Sequence, residues 1–223
     1  VGMSLQYVAI GAIVSIALGK MLFGGLGQNV FNPALVGRAF VQASWPVAIT
    51  SFTLDGMAGA TMLDAMKRGV PEILIREGNP YVQALIGQMG GCLGETSALA
   101  LLIGGAYLIY KKQIDWKMPV IIIATVAVLT GIAGRDPLMH VLSGGLMLGA
   151  FFMATDMVTS PVTPKGKLIY AFGIGALIAL IRMKGGYPEG TAFSILIMNG
   201  VTPLINRYTM PKKFGEVKAD GKK

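Results

Sequence analysis

One cysteine, one histidine and a charged fraction of 13% are what this 223-residue chain has least of, and each scarcity closes off a class of chemistry. The lone thiol, Cys92, cannot build a disulfide framework or a self-contained zinc or iron–sulfur centre, so any metal cluster would be shared with a partner. In its Gly-Gly-Cys-Leu-Gly setting it reads as a small packing residue. His140 follows Asp136-Pro137 and has no second histidine at metal spacing, so no role is assigned to it. A Ser/His/Asp triad, a Walker sequence and a dinucleotide glycine fingerprint are also lacking.

The shortage of charge has the widest consequence. With 53% hydrophobic residues and a mean hydropathy of +0.63, the chain has too few charged side chains to cover a soluble globule of its size. It reads as an integral membrane protein. Thirty-one glycines and fourteen methionines fit, because small residues let membrane helices approach closely and Met fills irregular gaps. A net charge of +8 invites a nucleic-acid reading, but the basic residues fall in short connectors and a tail, as membrane topology predicts. Nucleic acid is therefore excluded as a partner, and the lipid bilayer takes its place.

Apolar spans are predicted at 5–23, 118–133, 138–155, 168–183 and 191–205, with a further one ending at Tyr110. The first covers a hydrocarbon core of about 30 Å. Short connectors at 111–117 and 134–137 make successive spans antiparallel. Two segments, 24–40 and 85–95, are apolar but interrupted by glycine and, in the first, by two asparagines and Pro33. Such segments make broken helices whose freed backbone groups need protein, water or ligand at membrane depth. A second pairing, Gly24-Gly25 before one broken span and Gly185-Gly186 before another containing Gly190, Gly200 and Pro203, suggests an inverted repeat with a site between the halves.

The fold expected is an all-α polytopic bundle with glycine-broken segments. A membrane domain spans 1–206 and includes a polar loop at 45–83. A basic tail follows at 207–223. The chain starts at Val1 and enters a hydrophobic span almost at once, which reads as a protein missing its N-terminal part. A cytoplasmic tail (Arg207, Lys212, Lys213, Lys218, Lys222, Lys223) puts Lys111, Lys112, Lys117, Lys165 and Lys167 inside. Arg135, Arg182, Lys184 and the 45–83 loop then lie outside.

Within that loop stands Asp55-Gly56-Met57-Ala58-Gly59-Ala60-Thr61-Met62-Leu63. The Thr61 hydroxyl is framed by small residues: Gly59 frees the backbone, Ala60 leaves room, and Leu63 can lean on a flat apolar ligand. Upstream, Gly24 to Phe40 reads Gly-Gly-x-Gly-x-Asn-x-x-Asn-Pro-Ala-Leu-x-Gly-Arg-Ala-Phe, with Asn29 and Asn32 either ending a helix before Pro33 or offering carboxamides to a polar ring edge. Downstream lie Gly94-Glu95-Thr96-Ser97 and Phe152-Met153-Ala154-Thr155-Asp156. Glu95, at a span entrance, is either a cation or proton ligand or, with Thr96 and Ser97, a helix cap.

These four motifs, over most of the chain, resemble the D subunit of the Rnf ferredoxin:NAD oxidoreductase and the related B subunit of the sodium-pumping NADH:quinone oxidoreductase. Ala58 stands where the family often has Ser or Thr, and Met157 where it usually has Pro. The resemblance implies FMN joined to the Thr61 oxygen through a phosphoester, installed by a separate flavin transferase from FAD, with Asp55, Gly59, Ala60 and Leu63 around it. It assigns non-covalent riboflavin to Asn29 and Asn32. It further implies a multi-subunit complex in the inner membrane that couples ferredoxin oxidation and NAD reduction to Na⁺ or H⁺ movement, the nicotinamide chemistry lying in other subunits. The flavin loop would face outward. The paired broken spans also resemble urea-transporter-like channels, which need no flavin.

Overall fold

The computed structural model describes residues 3–50, 52–54, 57–59, 61–68, 79–88, 94–186 and 190–211. Over these the chain is helical apart from one small hairpin. Its centre is α10 (Pro164–Lys184). Thr163 starts that helix by accepting the Gly166 N–H at 3.0 Å, Pro164 takes the first helical position where no amide is needed, and Arg182 and Lys184 lie in the last turn. Twenty-one residues at the helical rise give about 31 Å, enough to cross a bilayer. Tyr170, Ile174 and Ile178, four apart on one face, are fully buried.

Around α10 pack α7 (Lys117–Ile132) and α11 (Thr191–Thr209). Ile122 and Val126 of α7 and Ile195 of α11 complete the core with Leu146. The first helix lies outside this core. α1 (Leu5–Gly19), extended by a 3₁₀ turn at Met21–Phe23, packs on α2 (Pro33–Ser44) through Gly11, Ser15 and Gly19, one small residue per turn. A Cβ on Gly37 of α2 would stand 2.5 Å from the Gly11 carbonyl oxygen, so the two backbones are in contact. The Ser15 hydroxyl donates to the Pro33 carbonyl at 2.6 Å across the seam. Leu5, Ile13, Ile16 and Leu22 point away from the fold. Two segments, Leu5–Phe23 and Pro164–Lys184, are long and apolar enough to cross a membrane.

The expected polar stretch from 45 to 83 has structure of its own. It holds α3 (Pro46–Thr50), an antiparallel pair β1 (Phe52–Leu54) and β2 (Met57–Gly59), α4 (Met62–Arg68) and most of α5 (Pro80–Ile86). Phe52 pairs with Gly59 and Leu54 with Met57. α6 (Ala98–Tyr110) then leads back to α7.

The span predicted over 138–155 is interrupted. α8 (Pro137–Leu142) stops at Ser143-Gly144-Gly145, a short α9 (Leu146–Leu148) restarts the helix, and Gly149–Met153 is π-helical, with the Ala154 N–H reaching back to the Gly149 carbonyl at 2.7 Å. Gly144 has φ +70°, a conformation that ends the first piece. The boundary drawn at 206 also shifts, because α11 continues through Arg207 to Thr209. Lys212, Lys213, Lys218, Lys222 and Lys223 lie outside the described residues, as does Cys92.

Candidate site around Thr61

Thr61 starts α4. Its Oγ1 accepts the Asp64 N–H at 3.3 Å and its carbonyl accepts the Ala65 N–H at 3.0 Å, the pattern of a helix N-cap. The hydroxyl that the motif singles out is thus held in a fixed position by its own helix. It is not displayed at a loop tip: Thr61 is 7% exposed, and Met62, Leu63 and Ala65 beside it are buried as well. The helix is seven residues long, so local propensity cannot stabilise it, and this buried face does.

Two contacts set α4 against the core. Leu63 packs on Gly144, where any Cβ would collide with the Leu63 side chain. Lys67 donates from Nζ to the Gly185 carbonyl at the end of α10. Leu63 and Lys67 are one turn apart on α4, and their partners lie at two helix ends, 143–145 after α8 and 185–186 after α10. A third tether is Tyr81, whose hydroxyl donates to Asp136 Oδ2 at 2.6 Å. The loop, the 134–137 connector and the end of α10 therefore share one end of the molecule, the grouping that the distribution of basic residues predicts.

Arg182, which in the sequence is only a topology marker, anchors the same corner. It is 3% exposed and donates from Nη1 to the His140 carbonyl and from Nη2 to the Ser143 carbonyl at 3.3 Å. Those carbonyls are at the end of α8, where the helix break leaves them without intrahelical donors. The same Nη2 lies 3.4 Å from the position a Gly144 Cβ would take, so Leu63 and Arg182 border one glycine. The signal that could have found it is an arginine one turn before a Gly-Gly stop and in line with a buried helical face.

Of the other residues predicted around Thr61, Gly59 ends β2 opposite Phe52, while Asp55 and Ala60 lie outside the described residues.

Asn29 and Asn32 belong to a second cluster. Asn32 Oδ1 accepts the Ala34 and Leu35 N–H groups at 3.1 and 3.4 Å and so caps α2, while Asn29, buried, donates to the Phe31 carbonyl at 3.1 Å. Asn32 thus starts a helix at Pro33 where a helix ending before Pro33 was expected. Opposite stands Asn199 of α11. In the orientation that satisfies all its neighbours, its oxygen accepts the Asn32 N–H at 3.0 Å, and its nitrogen donates to the Ile195 carbonyl at 3.3 Å and the Tyr170 hydroxyl at 2.5 Å. Gly200 faces the Phe31 ring. The two segments that echo each other in sequence therefore meet in space, but only the first is broken: α11 runs without interruption through Gly200 and Pro203, where a broken span was expected.

Glu95 does not cap α6. Ser97 does, accepting the Ala100 N–H at 3.3 Å. Glu95 is 3% exposed, lies against Gly145 and stands 3.9 Å from Arg38 Nη1, so the second and third motifs meet through an ion pair. In the fourth motif, Asp156 Oδ2 accepts the Thr159 hydroxyl at 3.0 Å, and Thr202 of α11 donates to the Thr159 carbonyl at 3.1 Å, which pins that turn to the core.

Comparison with known proteins identifies the family. A family model described as the NQR2, RnfD, RnfE family matches residues 1–215. The D subunit of the proton-translocating ferredoxin:NAD(+) oxidoreductase complex of Clostridium ljungdahlii is 50% identical over 93% of this chain and 68% of its own length. The D subunit of the Na(+)-translocating ferredoxin:NAD(+) oxidoreductase complex of Acetobacterium woodii is 48% identical over 94% and 66%. That of the ion-translocating oxidoreductase complex of Stutzerimonas stutzeri is 38% identical over 92% and 69%. The chain thus spans about two thirds of the length of these relatives. With one match that reaches from residue 1 to residue 215 and identities up to 50%, the chain belongs to the NQR2, RnfD, RnfE family.

Proposed function

We infer that this chain is the D-type membrane subunit of an ion-translocating ferredoxin:NAD⁺ oxidoreductase and carries electrons through FMN esterified to Thr61. The observation that carries the reading is the Thr61 hydroxyl itself, fixed at the start of α4 and buried beside Leu63, in a chain half identical to a D subunit. The relatives named above are all D subunits, which favours this complex over the quinone-reducing pump.

The residues present suit a phosphoester-linked flavin. Thr61 supplies the acceptor oxygen, Leu63 and the buried Met62 an apolar wall, and Arg182 and Lys67 positive charge near a phosphate. FMN, when bound, supplies transfer of one or two electrons. The chain's own contribution is to hold the acceptor in place and to keep water from it, through the packing of α4 on Gly144 and its tether at Gly185. Because Thr61 is buried, the flavin transferase reaches it with α4 lifted from that seat. Non-covalent riboflavin is assigned to the Asn29 and Asn32 cluster, where the broken segment before α2 meets α11 at Asn199, the contact between the halves of the expected inverted repeat. The protein is a polytopic bundle in the inner membrane, with the Thr61 loop outside and the tail in the cytoplasm beside the other subunits of the complex.

Thr61→Val tests the central claim, because Val keeps the shape and loses the oxygen. Coexpressed with the transferase, wild type is expected to show flavin fluorescence on a denaturing gel and the added mass of FMN. The variant is expected to insert, assemble and show neither. A wild-type chain without covalent flavin sinks this reading and leaves the flavin-free, urea-transporter-like channel.

A further inference from the structure

We propose that Arg182 is the fixed positive charge facing the phosphoester group on Thr61. The proposal rests on the Thr61 reading and adds a residue on a distant helix to the site.

Thr61 is 7% exposed, so the negative charge of a phosphoester there is withdrawn from water, and a buried charge is tolerated only beside an opposite one. Two cations are near α4: its own Lys67, and Arg182, which borders Gly144 together with Leu63. Lys67 is six residues from Thr61, about 9 Å along the helix, and its ammonium is engaged at the Gly185 carbonyl. Arg182 stands beside Leu63, in the first turn of α4. Its Nη2 shares the Gly144 surface with Leu63, and Leu63 is only two residues from Thr61, a main-chain reach of at most about 7 Å.

The guanidinium is also held in place. Bonds to the His140 and Ser143 carbonyls fix its plane at the α8 break, and burial keeps it from following the solvent. A planar, permanently charged fork is suited to phosphate oxygens in a way a lysine is not. Gly144 completes the arrangement: its missing Cβ is what allows Leu63 to approach the arginine. The break in the span at 143–145 thus has a use, bringing α4 and the arginine of α10 to one point.

The test uses the full-length protein in its assembled complex, coexpressed with the transferase, as wild type, Arg182→Gln and Arg182→Lys. Three quantities are read: covalent flavin per chain, the ³¹P chemical shift of the protein-bound phosphate, and the flavin midpoint potential. Arg182→Gln is expected to carry severalfold less covalent FMN and to move the phosphorus signal. Arg182→Lys is expected to restore most of the yield and move the signal less. The midpoint potential is expected to stay close to the wild-type value, because reduction changes charge at the isoalloxazine ring, which the ribityl chain separates from the phosphoester. An unmoved phosphorus signal overturns the proposal, and so does a displaced potential with an unmoved signal, which would put the arginine at the ring. Should Arg182→Gln fail to assemble, Arg182→Lys decides, since its shorter ammonium must shift the signal if the charge faces the phosphate. Absence of covalent flavin from wild type defeats the Thr61 reading; wild-type flavin with an unaltered phosphorus signal in the variants defeats this proposal alone.

Discussion

Tyr81 closes the Thr61 loop onto the body of the protein by donating its hydroxyl to Asp136 Oδ2 at 2.6 Å. Asp136 is at the same time the cap of α8, its Oδ1 accepting the Leu138 and Met139 N–H groups at 3.0 and 3.3 Å. One carboxylate thus fixes both the start of the broken span and the end of the loop.

This pair predicts a pH window. Burial pushes the Asp136 carboxyl up, but the Tyr81 hydroxyl, the Met139 and Leu138 amides and His140 together outweigh it and hold the group below its ordinary 3.8. Its contribution is therefore present above the unfolded carboxylate value and is lost as pH falls through the lower folded one. Tyr81 is raised above 10.0, first by its hydrogen bond to Asp136 and then by that carboxylate's charge, so its contribution is present below 10.0 and lost as pH rises through the folded value. Tyr81→Phe is expected to lower the thermal midpoint of the solubilised complex between these limits. The gap from wild type should close at both ends; a gap independent of pH would mean that the ring, and not the hydrogen bond, is what matters.

Gly37 predicts a steric limit. With its Cβ position 2.5 Å from the Gly11 oxygen and 2.8 Å from Ser15 Cβ, Gly37→Leu must push α1 from α2 and break the Ser15 to Pro33 bond. Overpacking of this kind costs about 1–3 kcal/mol. Gly94→Ala is the control, since a Cβ there meets nothing within 4 Å. Equal thermal midpoints for the two variants would show that α1 is not seated against α2 as described.

The asparagine cluster separates capping from cofactor binding. Asn32→Asp retains the oxygen that accepts the Ala34 and Leu35 amides and so should leave stability close to wild type, whereas Asn32→Leu loses the cap at about 1 kcal/mol. If carboxamides read a flavin edge, Asn32→Asp combined with Asn29→Leu should release riboflavin from the purified complex while FMN stays on Thr61. Riboflavin measured by chromatography after acid precipitation decides it. An unchanged amount assigns these residues to the helix end alone.

What the sequence determined about this protein is what local chemistry encodes: a chain too apolar for a soluble globule, its principal helices, the break announced by the glycines, asparagines and proline of 24–33, and the motifs that mark the family. Those features depend on residues near one another in the chain. The tertiary structure decided the rest. Burial of Thr61 depends on Gly144, some eighty residues away, and Arg182, a topology marker by its position in the chain, lies at the same corner because α10 ends beside the break after α8. Glu95 and Ser97 are both plausible caps at the level of the motif; only packing against Gly145 and Arg38 takes Glu95 out of that role. Likewise the run 138–155 is apolar enough for one uninterrupted span, and the break appears because a left-handed Gly144 leaves α8 with free carbonyls that Arg182 satisfies from another helix. Local preferences permit either outcome in these cases, and the side that wins is set by which distant group arrives to satisfy a buried polar atom.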